Sequence, residues 1–177
     1  PYSDRDAELT AKLAMLDTGY FDDDLMKTYF YNILGREDST LEEVVSAYLG
    51  LSSYKEPVLL DLQKLADSSD IDGSPRAKLL ASIALAEFGD ESLAEDLFKD
   101  VMEEYSKEED DKIYFDVEDT TGKTSKELTG LALAVSAKLE YFEQGDKMFD
   151  YLYNSEDVWT LVNFEKLIYL MNRNIME

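Results

Sequence analysis

The helical character of the chain is clearest in residues 75–90, which read Pro75-Arg76-Ala77-Lys78-Leu79-Leu80-Ala81-Ser82-Ile83-Ala84-Leu85-Ala86-Glu87-Phe88-Gly89-Asp90. Alanine and leucine are strong helix formers, and proline is favoured in the first turn, where its missing N–H would have no partner. A glycine just after the last apolar residue is typical of a helix end. The stretch therefore predicts a helix from Pro75 to Phe88 and a turn at Gly89-Asp90 that leads into a second helix over residues 91–105.

Similar helices are predicted on both sides of this pair, because apolar residues recur at spacings of three and four. Two precede it over residues 4–18 and 22–35, a third begins with a capping box of Ser39 and Glu42, and a fourth carries Pro57 early in its length. Three follow it, over residues 125–139 and 146–153 and from a cap at Asp157. Leu85 and Leu133 lie on the apolar faces of alanine-rich helices, so we expect both to be buried.

The predicted helices come in pairs that repeat along the chain. The first members begin near Glu8, Thr40, Pro75, Lys126 and Val158, at intervals of about 32, 35, 51 and 32 residues, which is the period of stacked helical hairpins. The pattern predicts an all-α fold of paired hairpins in a single domain over residues 1–177. The chain begins at Pro1 without an initiator methionine, and we expect it to be a piece of a larger protein.

The composition excludes several function classes. Asp and Glu number 40 against 17 Lys and Arg, a net charge of −23 that repels phosphate backbones and anionic headgroups. We therefore expect no nucleic acid partner and no membrane insertion, which leaves a protein or peptide, with the oligomeric state open. Histidine and cysteine are absent, which removes catalytic triads, cysteine nucleophiles and zinc sites built from these residues. No catalytic residue, cofactor or metal site is predicted.

The longest interval holds an irregular insertion over residues 106–124. A charged run over 106–111 precedes Ile113-Tyr114-Phe115-Asp116-Val117, which predicts a short strand or an extended arm. Tyr114 and Phe115 lie outside the predicted helices, and exposed aromatic residues on an arm are commonly anchors for a partner. We identify Tyr114 and Phe115 as the candidate partner-contact residues.

An acidic stretch at residues 67–73, Asp67-Ser68-Ser69-Asp70-Ile71-Asp72-Gly73, is similar to part of a calcium-binding loop. The alignment puts Leu79 at the last position of the loop, where a bidentate glutamate is required. We interpret the stretch as a turn that links two helices.

Residues 76–90, followed by Ala94 and Phe98, resemble a helical hairpin in the toroid of bacterial alpha-2-macroglobulins. Residues 124–133 and the stretch Ser155-Glu156-Asp157 resemble two neighbouring elements of the same toroid, and the likeness extends over residues 9–171. The resemblance implies a partial or complete α/α toroid in a surface or secreted bacterial protein. The toroid of that family carries a Cys-Gln thioester, which this cysteine-free chain lacks.

Two other patterns suggest alternatives. Gly89-Asp90, Ala94, Phe98 and Val101 match the spacing of one tetratricopeptide repeat, which implies an open superhelix that binds a peptide in its groove. Asp116-Val117-Glu118-Asp119 resembles the acidic motif of class II terpene cyclases, and paired carboxylates on helical barrels can also hydrolyse glycosides. These patterns suggest a carboxylate-dependent enzyme, although the chain has a single Trp and no repeated Gln-Trp segments.

Together these observations favour a non-catalytic helical-repeat module that serves as a spacer or as a platform for a protein or ligand. We expect an extracellular or cell-surface location, with a cytoplasmic location also open. The tetratricopeptide-like adaptor and the carboxylate-dependent enzyme are the alternatives.

Overall fold

The fold is that of a computed structural model, which describes residues 4–16, 19–117, 123–154 and 162–173. The elements within these residues are α1 (Asp4–Met15), α2 (Asp23–Leu34), α3 (Leu41–Ser53), α4 (Leu59–Ala66), α5 (Pro75–Phe88), α6 (Glu91–Tyr105), β1 (Ser106–Glu109), β2 (Lys112–Phe115), α7 (Lys123–Lys138), α8 (Phe142–Tyr153) and α9 (Val162–Asn172). The predicted all-α class is confirmed. The predicted boundaries at Thr18 and Asp157 lie outside the described residues.

The chain divides into two compact units, Pro1–Ala94 and Glu95–Glu177, which we call unit 1 and unit 2. Unit 1 contains α1 to α5 and the start of α6, and unit 2 contains the rest of α6 and all later elements. The expected single domain and the arrangement of the hairpins in a toroid stay predictions.

Helix α3 is central in unit 1, where α1, α2 and α5 pack against it. Val45, Ala47 and Leu49 on α3 are fully buried. Gly50 allows α2 a close approach, because a Cβ at this position would lie 2.2 Å from Cζ of Phe30. The small residue on α3 thus makes room for an aromatic ring of the neighbouring helix.

The hairpin of α5 and α6 forms as the sequence predicts. The hydroxyl of Ser74 caps α5, Pro75 is its first residue, and Gly89 ends it in the left-handed conformation at a φ of 85°. Within the hairpin, the Ser82 hydroxyl donates to the carbonyl of Ala94 at 2.7 Å. This hydrogen bond holds the start of α6, which belongs to unit 1, against α5.

The start of α3 is one residue later than predicted. The capping box consists of Thr40 and Glu43 and not of Ser39 and Glu42, because Thr40 has the extended conformation of a helix cap. The Ser39 hydroxyl instead donates to the carbonyl of Ile33 on α2 at 2.7 Å. Ser39 therefore satisfies a carbonyl near the end of α2 and does not cap α3.

Two other helices begin elsewhere than predicted. Helix α4 begins at Leu59, because Pro57 belongs to the turn that follows α3. Helix α8 begins at Phe142 and not near Asp146. Glu140 has a φ of 59°, and this left-handed conformation lets α8 begin soon after α7 ends. Glycine is the usual residue at such a position, so the sequence carries no clear signal for this turn.

The insertion forms an antiparallel hairpin in which Ser106 pairs with Phe115 and Glu109 with Lys112. Asp110 and Asp111 make the turn with φ angles of 51° and 61°. Two successive positive φ angles are typical of a type I′ turn, which asparagine and aspartate tolerate. The predicted strand is confirmed, and the charged run before it supplies the pairing strand β1.

Helix α7 is central in unit 2, where α8, α9 and β2 pack against it. Leu133 on α7 is fully buried, as is Leu85 in unit 1, so both burial predictions are confirmed. A Cβ at Gly145 on α8 would lie 2.5 Å from Cε2 of Tyr169 and 2.8 Å from Oγ of Ser136. Unit 2 therefore also relies on a small residue where helices approach.

Candidate functional site

The candidate partner-contact residues, Tyr114 and Phe115, lie on β2. Phe115 is fully buried, and its N–H donates to the hydroxyl of Thr129 on α7 at 3.0 Å. Tyr114 is half-buried, and its ring stacks on that of Tyr151 with 5.0 Å between centroids. The expectation of two aromatic residues exposed on an arm is wrong, because β2 pairs with β1 and packs on α7 and α8. A partner contact here stays a prediction.

The acidic stretch at residues 67–73 links α4 to α5, as predicted. Ile71 is fully buried and anchors the turn. The Ser68 hydroxyl donates to the carbonyl of Leu65 at 2.8 Å and accepts from the N–H of Asp70 at 3.3 Å. Among the described residues, no group of three or more acidic side chains is arranged to hold a metal ion.

The motif Asp116-Val117-Glu118-Asp119, which suggested an acid catalyst, is only partly described by the structure. Glu118 and Asp119 lie outside the described residues. Asp116 is on the surface and forms an ion pair with Lys107 on β1. Protonation of an alkene requires a carboxylic acid held neutral in an apolar cavity. The surroundings of Asp116 are the opposite, because its side chain is exposed on the surface and does not line an apolar cavity.

A buried ion cluster joins α1 to α5 in unit 1. Glu8 and Lys12 are each 3% exposed, and Lys12 Nζ lies 2.5 Å from Glu8 Oε1. Arg76 holds the other oxygen through Nη2 at 2.5 Å and Nε at 3.0 Å. Burial alone raises the pKa of the Glu8 carboxyl, but the charges and hydrogen bonds of Lys12 and Arg76 outweigh burial and lower it. Glu8 is therefore a charged structural group at neutral pH.

A second cluster joins α8 to α9 in unit 2. The buried Tyr169 hydroxyl donates to Asp146 Oδ1 at 2.5 Å, and Arg173 Nη2 lies 3.0 Å from Asp146 Oδ2. Burial and the Asp146 carboxylate raise the pKa of Tyr169 strongly. Burial raises the pKa of Asp146, but hydrogen bonds from Tyr169 and Arg173 lower it overall. At neutral pH the tyrosine stays protonated and the aspartate charged. The hydrogen bond from Tyr169 and the ion pair with Arg173 therefore link Asp146 on α8 to α9 and the residue after it.

An open cleft of about 260 Å³ lies in unit 1 between α1, α2, α3 and α5. Its described lining residues are Ala14, Met15, Asp23, Ser53, Tyr54 and Glu87, and we call it the unit 1 cleft. Ala14 and Met15 give the cleft an apolar wall, and Asp23 and Glu87 give it two carboxylates. None of these lining residues is basic. The cleft therefore combines apolar surface with negative charge.

Three large apolar side chains are exposed in the connection before α2 and in its first turn. Tyr20 is 89% exposed, Phe21 47% and Leu25 69%, and we call these three residues the apolar patch. The carboxylate of Asp22 caps α2 by accepting from the N–H groups of Asp24 at 3.0 Å and Leu25 at 3.1 Å. The cap fixes the backbone between Phe21 and Leu25. Large apolar side chains that are exposed within one short segment are candidates for an interaction site.

Neither the patch nor the cleft is among the features that the sequence predicts. The patch could have been predicted from Tyr20 and Phe21, because two aromatic residues stand directly before a helix-capping aspartate in a short connection between helices. No sequence feature of this kind predicts the cleft. Its lining comes from four helices and the residues near their ends, and only the packing of those helices brings Met15 close to Glu87.

Comparisons of the chain with protein-family models, curated proteins and solved structures find no match. No helix within the described residues is long and apolar enough to cross a membrane.

Proposed function

We propose that this chain is a non-catalytic helical-hairpin module that serves as a binding platform for a protein or peptide. The observation that carries the proposal is the apolar patch in unit 1. Its three side chains are large, exposed and close in sequence, and the cap at Asp22 holds the backbone that presents them. Such anchors contribute most to binding when a partner removes them from water.

The packing of the hairpins supports a platform role. The Ser82 contact with Ala94 and the close approach at Gly145 bring neighbouring helices together, which favours rigid elements that keep a surface in place. The same proposal includes a partial or complete α/α toroid, like that of bacterial alpha-2-macroglobulins. It also includes a place in a larger surface or secreted bacterial protein.

The electrostatics favour this role over that of a carboxylate-dependent enzyme. A carboxyl group that acts as a general acid needs a raised pKa, because it must hold a proton before the reaction. The pKa of Glu43 is lowered by the hydrogen bond from the Thr40 backbone, and that of Glu95 by the hydrogen bond from Lys99. Glu8 and Asp146 have lowered pKa values as well. These carboxyl groups stay charged at neutral pH and act as partners in ion pairs.

A tetratricopeptide-like adaptor is a second candidate. Ala94, Phe98 and Val101, which match the spacing of that repeat, are all buried on α6. The two candidates share a peptide-binding role and differ in whether the hairpins close towards a ring or form an open superhelix. Small-angle X-ray scattering of the chain distinguishes these two arrangements.

Selection from a random peptide library displayed on phage tests the binding role. We expect selected peptides, made synthetically, to bind the chain saturably at physiological salt in fluorescence anisotropy. The double variant Tyr20→Ala/Leu25→Ala removes two side chains that make little contact within the fold, so it should stay folded and lose binding at least tenfold, about 1.4 kcal/mol.

The matched control is Leu60→Ala on α4, which removes a side chain that is 71% exposed outside the patch. This variant should bind as the unmodified chain does. The proposal is overturned if the selection yields no saturable binder, or if the double variant binds as well as the control.

A further inference from the structure

The unit 1 cleft and the apolar patch both include residues at the start of α2. Asp23 lines the cleft, and it lies in sequence between Phe21 and Leu25 of the patch. We propose that the cleft takes the lysine or arginine side chain of a partner peptide while an apolar residue beside it packs on the patch. This inference rests on the proposed function, because it names the partner class for the same surface.

The chemistry of the cleft suits a long basic side chain. Asp23 and Glu87 offer carboxylates to an ammonium or guanidinium group, while Ala14 and Met15 offer apolar surface to the aliphatic stem. The ring of Tyr54 adds an aromatic surface on which a guanidinium can stack. At about 260 Å³ the cleft is smaller than the pockets of roughly 300–1,000 Å³ that hold drug-sized ligands, and it suits a single side chain.

The charge of the chain also favours a basic partner over a second copy. Each copy carries a net charge of −23, and Asp22, Asp23 and Asp24 are exposed around the patch. Two such surfaces repel each other, whereas a basic segment is attracted and its association is accelerated. The neighbouring cation on α2 is Lys27. Its ammonium already pairs with two carboxylates of the chain, Asp24 at 3.0 Å and Glu56 at 3.7 Å.

The chain itself places an ammonium group on Glu87, one of the residues that line the cleft. Lys55 donates from Nζ to the carbonyl of Glu87, and the same Nζ lies 3.6 Å from Glu87 Oε2. Glu87 is in the last turn of α5, where the negative end of the helix dipole also attracts a cation. This contact is an internal example of the recognition that we propose for the partner.

Lys55 is also an unusual residue for its position. Its φ of 55° lies in the left-handed region, which glycine adopts at less cost than lysine. Glycine at this position would relieve the backbone and remove the ammonium from Glu87. Lys55 should therefore compete with an incoming basic side chain, and its replacement by glycine should strengthen binding.

The composition of the selected phage peptides is the first test. We expect lysine or arginine next to an apolar residue to be enriched, and a synthetic copy with glutamine in place of the basic residues to bind at least tenfold more weakly. If the glutamine copy binds equally well and still depends on Tyr20 and Leu25, the inference fails and the proposed function stands. If no peptide binds saturably, both fail.

Variants of the cleft are the second test, with the same basic peptide in fluorescence anisotropy at physiological salt. Asp23→Asn and Glu87→Gln should each weaken binding about tenfold, and Lys55→Gly should strengthen it several-fold. Circular dichroism of each variant verifies that the helices are retained.

Two controls separate local recognition from general charge. Asp61→Asn and Lys64→Gln change charges on the exposed face of α4 that do not line the cleft. The inference is overturned if Asp23→Asn and Glu87→Gln bind no more weakly than Asp61→Asn. It is equally overturned if Lys55→Gly strengthens binding no more than Lys64→Gln does.

Discussion

Gly50 shows how one missing methyl group sets the distance between two helices. The Phe30 ring lies where a Cβ of residue 50 would be, and Phe30 itself is fully buried. A buried ring in a packed core cannot turn away without displacing its neighbours. The contact between α2 and α3 in unit 1 therefore depends on this glycine.

We expect Gly50→Ala to lower the free energy of unfolding by about 1–3 kcal/mol, the usual cost of overpacking. Gly73→Ala is the control, because a Cβ there meets no atom within 4 Å. We expect Gly73→Ala to leave the free energy of unfolding unchanged or to raise it by up to about 1 kcal/mol. Urea denaturation followed by circular dichroism measures both, and equal midpoints for the two variants would contradict the packing argument.

Glu8 illustrates a buried charge whose removal should be costly. We expect Glu8→Gln to lower the free energy of unfolding by about 3–5 kcal/mol at neutral pH, because Lys12 and Arg76 lose the carboxylate that pairs with both. Asp61→Asn, in an exposed pair with Lys64, should have little effect. Urea denaturation of both variants tests the difference.

The cost of Glu8→Gln should also depend on pH. The pKa of Glu8 in the folded chain is below its ordinary value of 4.5, so the charged carboxylate stabilises the fold above about pH 4.5. This stabilisation is lost as the pH falls through the lowered pKa. The difference in free energy of unfolding between the unmodified chain and Glu8→Gln should therefore become smaller below pH 4.5. Urea denaturation at several pH values measures this difference, and a difference that is constant with pH would contradict the assignment.

At the scale of the elements, α5 and α7 play the same role in their units. Both are rich in alanine, and both are buried along most of their length. Small side chains let neighbouring helices approach such a helix from several sides, while its leucines fill the space between them. The sequence pattern alone predicted both helices and the burial of Leu85 and Leu133.

We expect Leu85→Ala and Leu133→Ala each to lower the free energy of unfolding by about 2–5 kcal/mol, because each leaves a cavity among fully buried neighbours. Leu60→Ala, at a position that is 71% exposed, should change it by no more than about 0.5 kcal/mol. Thermal and urea unfolding provide the measurement. Losses no larger than that of the control would show that these positions are not packed as described.

The strand pair shows why an element can be predicted while its environment is not. The β-branched and aromatic residues of Ile113-Tyr114-Phe115-Asp116-Val117 predict a short strand or an extended arm, since this signal depends only on neighbouring residues. The burial of Phe115 depends on contacts with α7 and α8, which no short pattern reports. For this reason the sequence indicated an exposed pair of aromatic residues where the structure has a buried one and a stacked one.

At the scale of the whole molecule, the excess of acidic residues opposes compaction. With 40 acidic and 17 basic residues, negative charges outnumber positive charges by 23. Repulsion among the carboxylates destabilises the folded chain more than the expanded unfolded chain. Dissolved salt screens this repulsion, since the Debye length falls from about 10 Å at 0.1 M to about 3 Å at 1 M.

We expect the melting temperature to rise as sodium chloride is added from low to high concentration. Circular dichroism during heating provides the measurement, and sucrose at matched osmolality is the control for effects that do not depend on ionic strength. A melting temperature that falls with added salt would mean that ion pairs such as those of Glu8 outweigh the general repulsion.

The helices, most of their ends and the burial of Leu85 and Leu133 follow from the order of the residues. Apolar spacing, caps and turn glycines act over a few neighbouring positions, so they can be read along the chain. The ion pair of Glu8 with Arg76, which are 68 positions apart, the burial of Phe115 and the unit 1 cleft come from the packing of helices. Many helix pairings satisfy the same local patterns, and only the way the buried side chains fit together selects among them.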